Sequence, residues 1–273
     1  TMTESATDTW QVDRSNRVVA SWEHRPNRHS GWQARVAWLD EFIAFYYAAD
    51  TDTSRARAFL GSFEYSASQG RHLFWKIGAN GAFQSAQADG YADSSRWFQQ
   101  PKSATFGMAE WQWRNGKVSV LTRQEVVDQV FMPITWSLGG QIKFGKPGEG
   151  LFHLSRNFNL PTLNDRYWNR LGKDDLLPES GYSADVGWRI QSGPFSTEVT
   201  AFQLILDNWI IWLPSGNDQQ FRPGNLRKVH SRGAEWRGCW QTTSEGWNWK
   251  LSGRYQLVRA TNVRVYAGAG DVL

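Results

Sequence analysis

Apolar and polar residues alternate along much of this 273-residue chain. A period of two predicts β-strands and not helices, because successive side chains of a strand point to opposite faces. In the clearest segment, one face carries Trp247, Trp249, Leu251, Gly253, Tyr255 and Leu257. The other face carries Asn248, Lys250, Ser252, Arg254 and Gln256. We therefore predict an all-β protein built from two-faced strands.

About twelve such segments follow one another, and their connections alternate between short and long. The predicted strands are 17–26, 31–47, 55–67, 70–87, 104–114, 117–127, 133–145, 150–158, 180–191, 194–212, 225–243 and 246–260. Tight turns are predicted at Asn115-Gly116, Pro147-Gly148, Ser192-Gly193 and Glu245-Gly246. Long connections are predicted at 88–103, 159–179 and 213–224. This rhythm is typical of outer-membrane barrels, which have short periplasmic turns and long external loops.

Strand length and tryptophan content favour a membrane barrel over a soluble sandwich. Most segments reach the roughly 9–11 residues that a tilted strand needs to cross a bilayer, whereas soluble strands average about 5–6 residues. The chain contains 17 Trp and 15 Phe, and Trp32, Trp111 and Trp249 lie near short turns, as in an interfacial aromatic girdle. The same tryptophans would also suit a soluble carbohydrate-binding protein, which stays open as an alternative.

The sequence offers no motif for catalysis or for a cofactor. It lacks G-x-S-x-G, a phosphate-binding glycine loop and H-E-x-x-H. The single cysteine, Cys239, is expected to be a small residue on the face opposite the tryptophans, and the five histidines show no metal-ligand spacing. The net charge of +4 is a modest excess. We therefore expect no enzyme, no catalytic, cofactor or metal residues, and no nucleic-acid partner.

The alternation also predicts which side chains face lipid. Trp136, Leu138, Trp188, Leu251 and Tyr255 should point outward, and Lys143, Arg189, Lys250 and Arg254 inward, because a charge facing lipid is penalised. The candidate basic lumen residues are Arg35, Lys76, Arg123, Lys143, Arg189, Arg237, Lys250 and Arg254. The candidate acidic ones are Glu23, Glu64, Glu125, Asp185 and Glu235. The basic excess would suit an anionic ligand, and ordinary solvated charge explains it as well.

Several motifs between 154 and 235 occur in order and carry a family resemblance. They are Leu154-Ser155-Arg156-Asn157-Phe158, Pro161-Thr162-Leu163-Asn164-Asp165-Arg166-Tyr167-Trp168, Leu176-Leu177-Pro178-Glu179, Trp209-Ile210-Ile211-Trp212-Leu213-Pro214, Pro223-Gly224-Asn225-Leu226 and Ser231-Arg232-Gly233-Ala234-Glu235. This segment resembles the C-terminal half of TonB-dependent outer-membrane receptors, most of all cobalamin and siderophore receptors.

The resemblance implies a barrel of twenty-two strands around an N-terminal plug, with energy supplied through a motif that binds TonB. About twelve strands are visible here, and neither a leader, a plug, a coupling motif nor a terminal strand is found. We therefore expect residues 1–273 to be one partial, incompletely closed barrel domain of a longer receptor. It would reside in the outer membrane, in contact with lipid and lipopolysaccharide, and support uptake of a scarce nutrient whose identity is unknown. A passive porin would share every strand feature.

The loop at 159–179 is expected on the external side because it is long. Pro161 and Pro178 should mark its two ends, since proline cannot donate to a ladder. Arg156 lies on the apolar side of its strand, which is tolerable near the rim, and it is expected to pair with Glu179 across the loop base. These residues are expected to shape the loop and not to contact a ligand.

Overall fold

The computed structural model describes residues 9–47, 50–145, 148–169, 171–215 and 220–265. They form thirteen antiparallel strands and one short helix, so the all-β prediction is confirmed. The elements are β1 (Thr9–Asn27), β2 (Ser30–Tyr47), β3 (Asp50–Gln69), β4 (Leu73–Ala88), β5 (Phe98–Trp113), β6 (Gly116–Val127), β7 (Val130–Phe131), β8 (Thr135–Lys143), β9 (Gly148–Asn159), α1 (Leu163–Tyr167), β10 (Glu179–Ser192), β11 (Phe195–Ser215), β12 (Gln220–Ser244) and β13 (Trp247–Val265).

All thirteen strands belong to one sheet, and its spatial order follows the chain from β1 to β13. The two-residue strand β7 is the exception, because it pairs only with β6 and lies off this path. Within the described residues there is no second sheet to cover either face. A sandwich needs two packed sheets, so this topology rules out the soluble sandwich.

The strands are longer than the alternation alone predicts. β1 begins at Thr9 because its first half pairs with the end of β2, as in Thr9 opposite Tyr47. β5 begins at Phe98 and includes Pro101, although proline is disfavoured inside a sheet. Pro101 lies beyond Lys102, the last residue of β5 that pairs with β6, so the ladder on that side has already ended.

The described tight turns lie at the predicted pairs of residues whose second member is glycine. At the β12–β13 turn, Glu245 and Gly246 both have positive φ, at 52° and 81°, as a hairpin turn of the primed type requires. Pro147 of another predicted turn, and the terminal stretch Gly270–Leu273, lie outside the described residues.

The register places side chains on two continuous faces, because directly opposed residues of neighbouring strands share a face. One row runs through Gly150, Trp188, Val199, Trp236 and Tyr255. The remaining predicted lipid-facing residues Trp136, Leu138 and Leu251 belong to the same face. A row of the other face links Lys143, Glu149, Arg189, Glu198, Arg237 and Arg254, and Lys250 lies on this face too. The predicted sorting is confirmed for every residue named.

No protein layer within the described residues covers the apolar face. Trp247 and Leu251 are 71% and 70% exposed, and Val18 is 60% exposed. Contiguous apolar surface on this scale is not stable in water, and it has the pattern of a lipid-facing barrel wall. No helix in the described parts of the chain has the length and apolar character to cross a bilayer.

Candidate functional site: the polar face and its loop cluster

Ion pairs connect neighbouring strands along the polar face. Arg189 on β10 lies between two carboxylates, with Nη1 3.3 Å from Glu149 on β9 and Nη2 2.7 Å from Glu198 on β11. Two further pairs between strands are Lys76 with Glu64 at 3.0 Å and Lys117 with Glu110 at 3.4 Å, while Arg123 pairs with Glu125 of its own strand at 2.8 Å. Exposed pairs contribute little stability individually. Together they make the wall polar.

The predicted basic excess on this face is wrong. Glu110, Glu149 and Glu198 were missing from the predicted acidic set, and each lies on the polar face opposite a cation or beside one. Alternation alone did not reveal them because charge pairing across strands depends on register. Arg35, Lys143, Lys250 and Arg254 are the predicted cations that have no ion-pair partner within the described residues.

A cavity of about 850 Å³ lies between the polar face and the chain that follows β9. Its wall is the loop-side half of β2–β6, and its cover is the segment 157–164. Polar side chains on the wall are Glu41, Gln84, Gln100, Lys102, Arg123 and Glu125. Asn157, Asn159, Thr162 and Asn164 contribute from the cover. A cavity lined by these hydrogen-bond donors and acceptors suits a polar solute more than an apolar one.

The cover is organised by a capping box. Thr162 is the N-cap of α1, and its hydroxyl accepts a hydrogen bond from the backbone N–H of Asp165 at 3.1 Å. In return, the Asp165 carboxylate accepts from the backbone N–H and the hydroxyl of Thr162, at 2.8 and 2.7 Å. The other carboxylate oxygen accepts from Nε1 of Trp212 on β11 at 2.8 Å. Asp165 therefore joins the helix start to the barrel wall.

The loop 160–178 also packs against the connection 89–97. The rings of Phe98 and Tyr167 stack with centroids 4.0 Å apart, and the Tyr91 ring meets Phe98 edge-on at 5.4 Å. The Tyr91 hydroxyl donates to Asn164 at 2.9 Å, and burial raises the pKa of this phenol, so it remains a donor. A Cβ on Gly90 would lie 2.5 Å from the Trp168 ring, so a larger residue there would displace that ring.

Asn225 forms hydrogen bonds to the C-terminal end of the same loop. Its side-chain oxygen accepts from the backbone N–H of Leu177 at 2.8 Å, and its amide donates to the carbonyls of Leu177 and Asn208 at 2.9 and 2.8 Å. We name residues 89–97, 160–169 and 171–178, together with Trp212 and Asn225, the loop cluster. Its motif residues make structural contacts within the chain.

The predicted pair between Arg156 and Glu179 is wrong, because the two side chains lie on opposite faces. Glu179 is opposite Asn159 on the polar face, where its carboxylate accepts from Asn159 at 3.1 Å and from the backbone N–H of Ile210 at 2.8 Å. Arg156 lies on the apolar face, with its guanidinium 5.5 Å from the centre of the Tyr182 ring.

The predicted loop boundaries are confirmed: β9 ends at Asn159, just before Pro161, and β10 begins at Glu179, just after Pro178. Helix α1 was not predicted, although the Thr162–Asp165 spacing is a capping signal. Cys239 lies opposite Ser252 on the polar face and away from the tryptophans, as expected.

Comparison with known proteins identifies the family of this chain. The profile of the family described as TonB dependent receptor-like, beta-barrel matches residues 2–272. The chain belongs to this family. A segment of 108 residues is 29% identical to the vitamin B12 transporter BtuB of Vibrio vulnificus, covering 40% of the chain and 18% of that transporter.

Solved structures of the family share the fold. The copper transporter OprC superimposes with a TM-score of 0.72 at 11% identity, over 93% of this chain and 48% of OprC. The siderophore receptor PirA of Pseudomonas aeruginosa gives 0.67 at 13% identity, over 90% of this chain and 55% of PirA. The chain thus spans about half the length of these receptors. It is an outer-membrane β-barrel segment, since the family resides in the Gram-negative outer membrane.

Proposed function

We propose that this chain is the barrel wall of a receptor that imports a scarce nutrient across the outer membrane, with energy supplied through TonB. The observation that carries the proposal is the family match over residues 2–272. The similarity of 108 residues to a vitamin B12 transporter favours a large, polar cargo such as a cobalamin or a siderophore. In this proposal residues 1–273 act as one barrel domain and perform no catalysis.

The polar face supports an import role in physical terms. Some of its charges are paired, as Arg189 is with Glu149 and Glu198, and a paired charge holds a passing charged solute less strongly than a free one. The cavity under the loop cluster lies at the long-loop end of the strands, where a solute entering from outside would first meet the lumen.

Uptake in a receptor-deleted strain tests the proposal. The whole receptor that contains this chain should restore accumulation of labelled cobalamin or ferric siderophore, and deletion of TonB should abolish it. A passive porin would give uptake that saturates poorly and persists without TonB. That result would replace the import proposal with the porin.

Labelling from outside the cell tests the orientation. Asp174 is exposed in the loop 160–178 and forms no hydrogen bond or ion pair within the described residues. In the whole receptor with Cys239 replaced by serine, Asp174→Cys should react with a membrane-impermeant maleimide on intact cells, because long loops of outer-membrane barrels are external. A cysteine in place of Glu245, which is exposed in the β12–β13 turn, is the matched control and should react only after the outer membrane is broken. The opposite pattern would invert the orientation.

A further inference from the structure

An exposed arginine lies in each of the first three tight turns of the sheet. Arg28 is in the β1–β2 turn, Arg71 in the β3–β4 turn and Arg114 in the β5–β6 turn. These turns are two strands apart from one another, which is about 10 Å. The turns at 193–194 and 245–246, on the other side of the sheet, contain no lysine or arginine. Positive charge is therefore concentrated at the turn end of β1–β6.

Backbone hydrogen bonds between neighbouring hairpins hold these turns in place. The N–H of Ser68 donates to the carbonyl of His29 in the β1–β2 turn at 2.7 Å. The N–H of Gln112 donates to the carbonyl of His72 in the β3–β4 turn at 2.7 Å, and Nδ1 of His72 lies 2.9 Å from the carbonyl oxygen of Gln112. The three arginines thus form a row on turns that are joined to one another, and we name them the turn arginines.

No carboxylate within the described residues pairs with the turn arginines. The carboxylates nearest to them along β1, β3 and β5 belong to Glu23, Glu64 and Glu110. Each of these acids pairs with a different cation, namely Arg25, Lys76 and Lys117 respectively. The turn arginines therefore offer three guanidinium groups to an anion from outside the chain.

A polar groove of about 380 Å³ adjoins the first of the turn arginines. Arg28 lines it together with side chains that donate and accept hydrogen bonds, among them Asn27, Gln33, Ser66 and Ser68. Its volume falls in the range of small-ligand pockets, which is about 300–1,000 Å³. Amides and hydroxyls beside a guanidinium suit a sugar or a peptide that carries a carboxylate.

The row lies beyond the level of the lipid headgroups. Interfacial tryptophans mark that level, and Arg28 and Arg71 precede Trp32 and Trp75, respectively, by four residues. Four residues are about 14 Å along a strand and about 10 Å along the membrane normal at the usual tilt. A polymer that lies under the membrane therefore meets the row more directly than a phospholipid does.

We propose that the turn end of β1–β6 binds an acidic glycan of the periplasm, a sugar polymer whose peptide branches end in carboxylates, as in peptidoglycan. Guanidinium groups bind carboxylates through paired, charge-assisted hydrogen bonds. A polymer with repeated carboxylates can occupy several of the turn arginines at once, and each contact after the first is intramolecular. The proposal goes beyond import and depends on the orientation that labelling of Asp174→Cys tests separately.

Cosedimentation of the whole receptor with insoluble peptidoglycan, in a mild nonionic detergent, tests the proposal. The triple variant Arg28→Gln, Arg71→Gln and Arg114→Gln should bind about tenfold less than the wild type, a change equivalent to about 1.4 kcal/mol. Lysine at the same three positions keeps the charges and should retain most of the binding. Peptidoglycan whose carboxylates have been amidated should bind the wild type about as weakly as untreated peptidoglycan binds the glutamine variant.

The matched control replaces three exposed arginines near the loop ends of their strands with glutamine, namely Arg14, Arg232 and Arg259. It loses the same charge and should bind like the wild type. Equal loss in both triple variants, no loss in the turn variant, or full binding to amidated peptidoglycan would overturn the proposal. Binding to phosphatidylglycerol vesicles, and not to peptidoglycan, that requires the turn arginines would assign the row to lipid instead. Heat-modifiable migration in gels confirms that each variant is folded.

Discussion

Val120→Arg is expected to destabilise the whole receptor by about 2–4 kcal/mol, the cost of an arginine facing lipid near the bilayer midplane. Val120 lies in the middle of β6, and it belongs to the row that joins Ala109 and Leu138 on the apolar face. It is 48% exposed because nothing in the described chain covers it. The measurement is the free energy of unfolding in urea, with the receptor reconstituted in lipid vesicles.

Ser119→Arg is the matched control one residue earlier. Ser119 lies on the polar face between Glu110 and Gly139, so an arginine there has a carboxylate opposite it and an adjoining glycine that leaves room. Its effect should stay within about 1 kcal/mol, the usual range for an exposed ion pair. If the two variants lose the same stability, the assignment of lipid and lumen faces fails.

Asp165→Ala is expected to loosen the loop cluster by about 2 kcal/mol or more, because it removes the N-terminal cap interactions of α1 and leaves the Trp212 indole N–H without its acceptor. Backbone amides of Arg166 and Trp168 should then exchange with solvent about thirtyfold faster. Hydrogen exchange of the whole receptor, followed by mass spectrometry of peptides from this loop, measures the effect.

Two further variants separate the cap from a general effect on the loop. Trp212→Phe removes only the bond from the barrel wall, so it should give a smaller acceleration than Asp165→Ala. Asp174→Ala removes a carboxylate from the same loop that has no partner among the described residues, and it should change nothing. Fast exchange in the Asp174→Ala variant would show that the capping box does not hold the loop.

Strand pattern was readable from the sequence wherever one face of a strand meets lipid and the other meets water. Trp188 and Arg189 could be assigned to opposite faces for this reason. The stretch from Val199 to Trp212 could not, because Phe202 and Leu204 are apolar residues that face the polar side. The N-terminal half of β1 was missed because its pairing with β2, and not its own alternation, defines it.

The contacts of the loop cluster were harder to predict from the sequence because they join segments that lie far apart in the chain. Pro161 and Pro178 bracketed the loop correctly, since a proline acts locally. The bonds from Trp212 to Asp165 and from Asn225 to Leu177 join distant residues, and no local pattern indicates them. Arg156 and Glu179 were paired wrongly because their proximity in space was inferred without the register that separates their faces.

Each long strand pairs with its neighbours along the chain, so the hairpin is the unit from which this wall is assembled. Adding or deleting one hairpin would leave every other pairing intact, and barrel diameter grows roughly in proportion to strand number. A wall built in this way can change its bore by duplication of a single segment. The diameter of the wall is therefore set by the number of hairpins and not by any one strand.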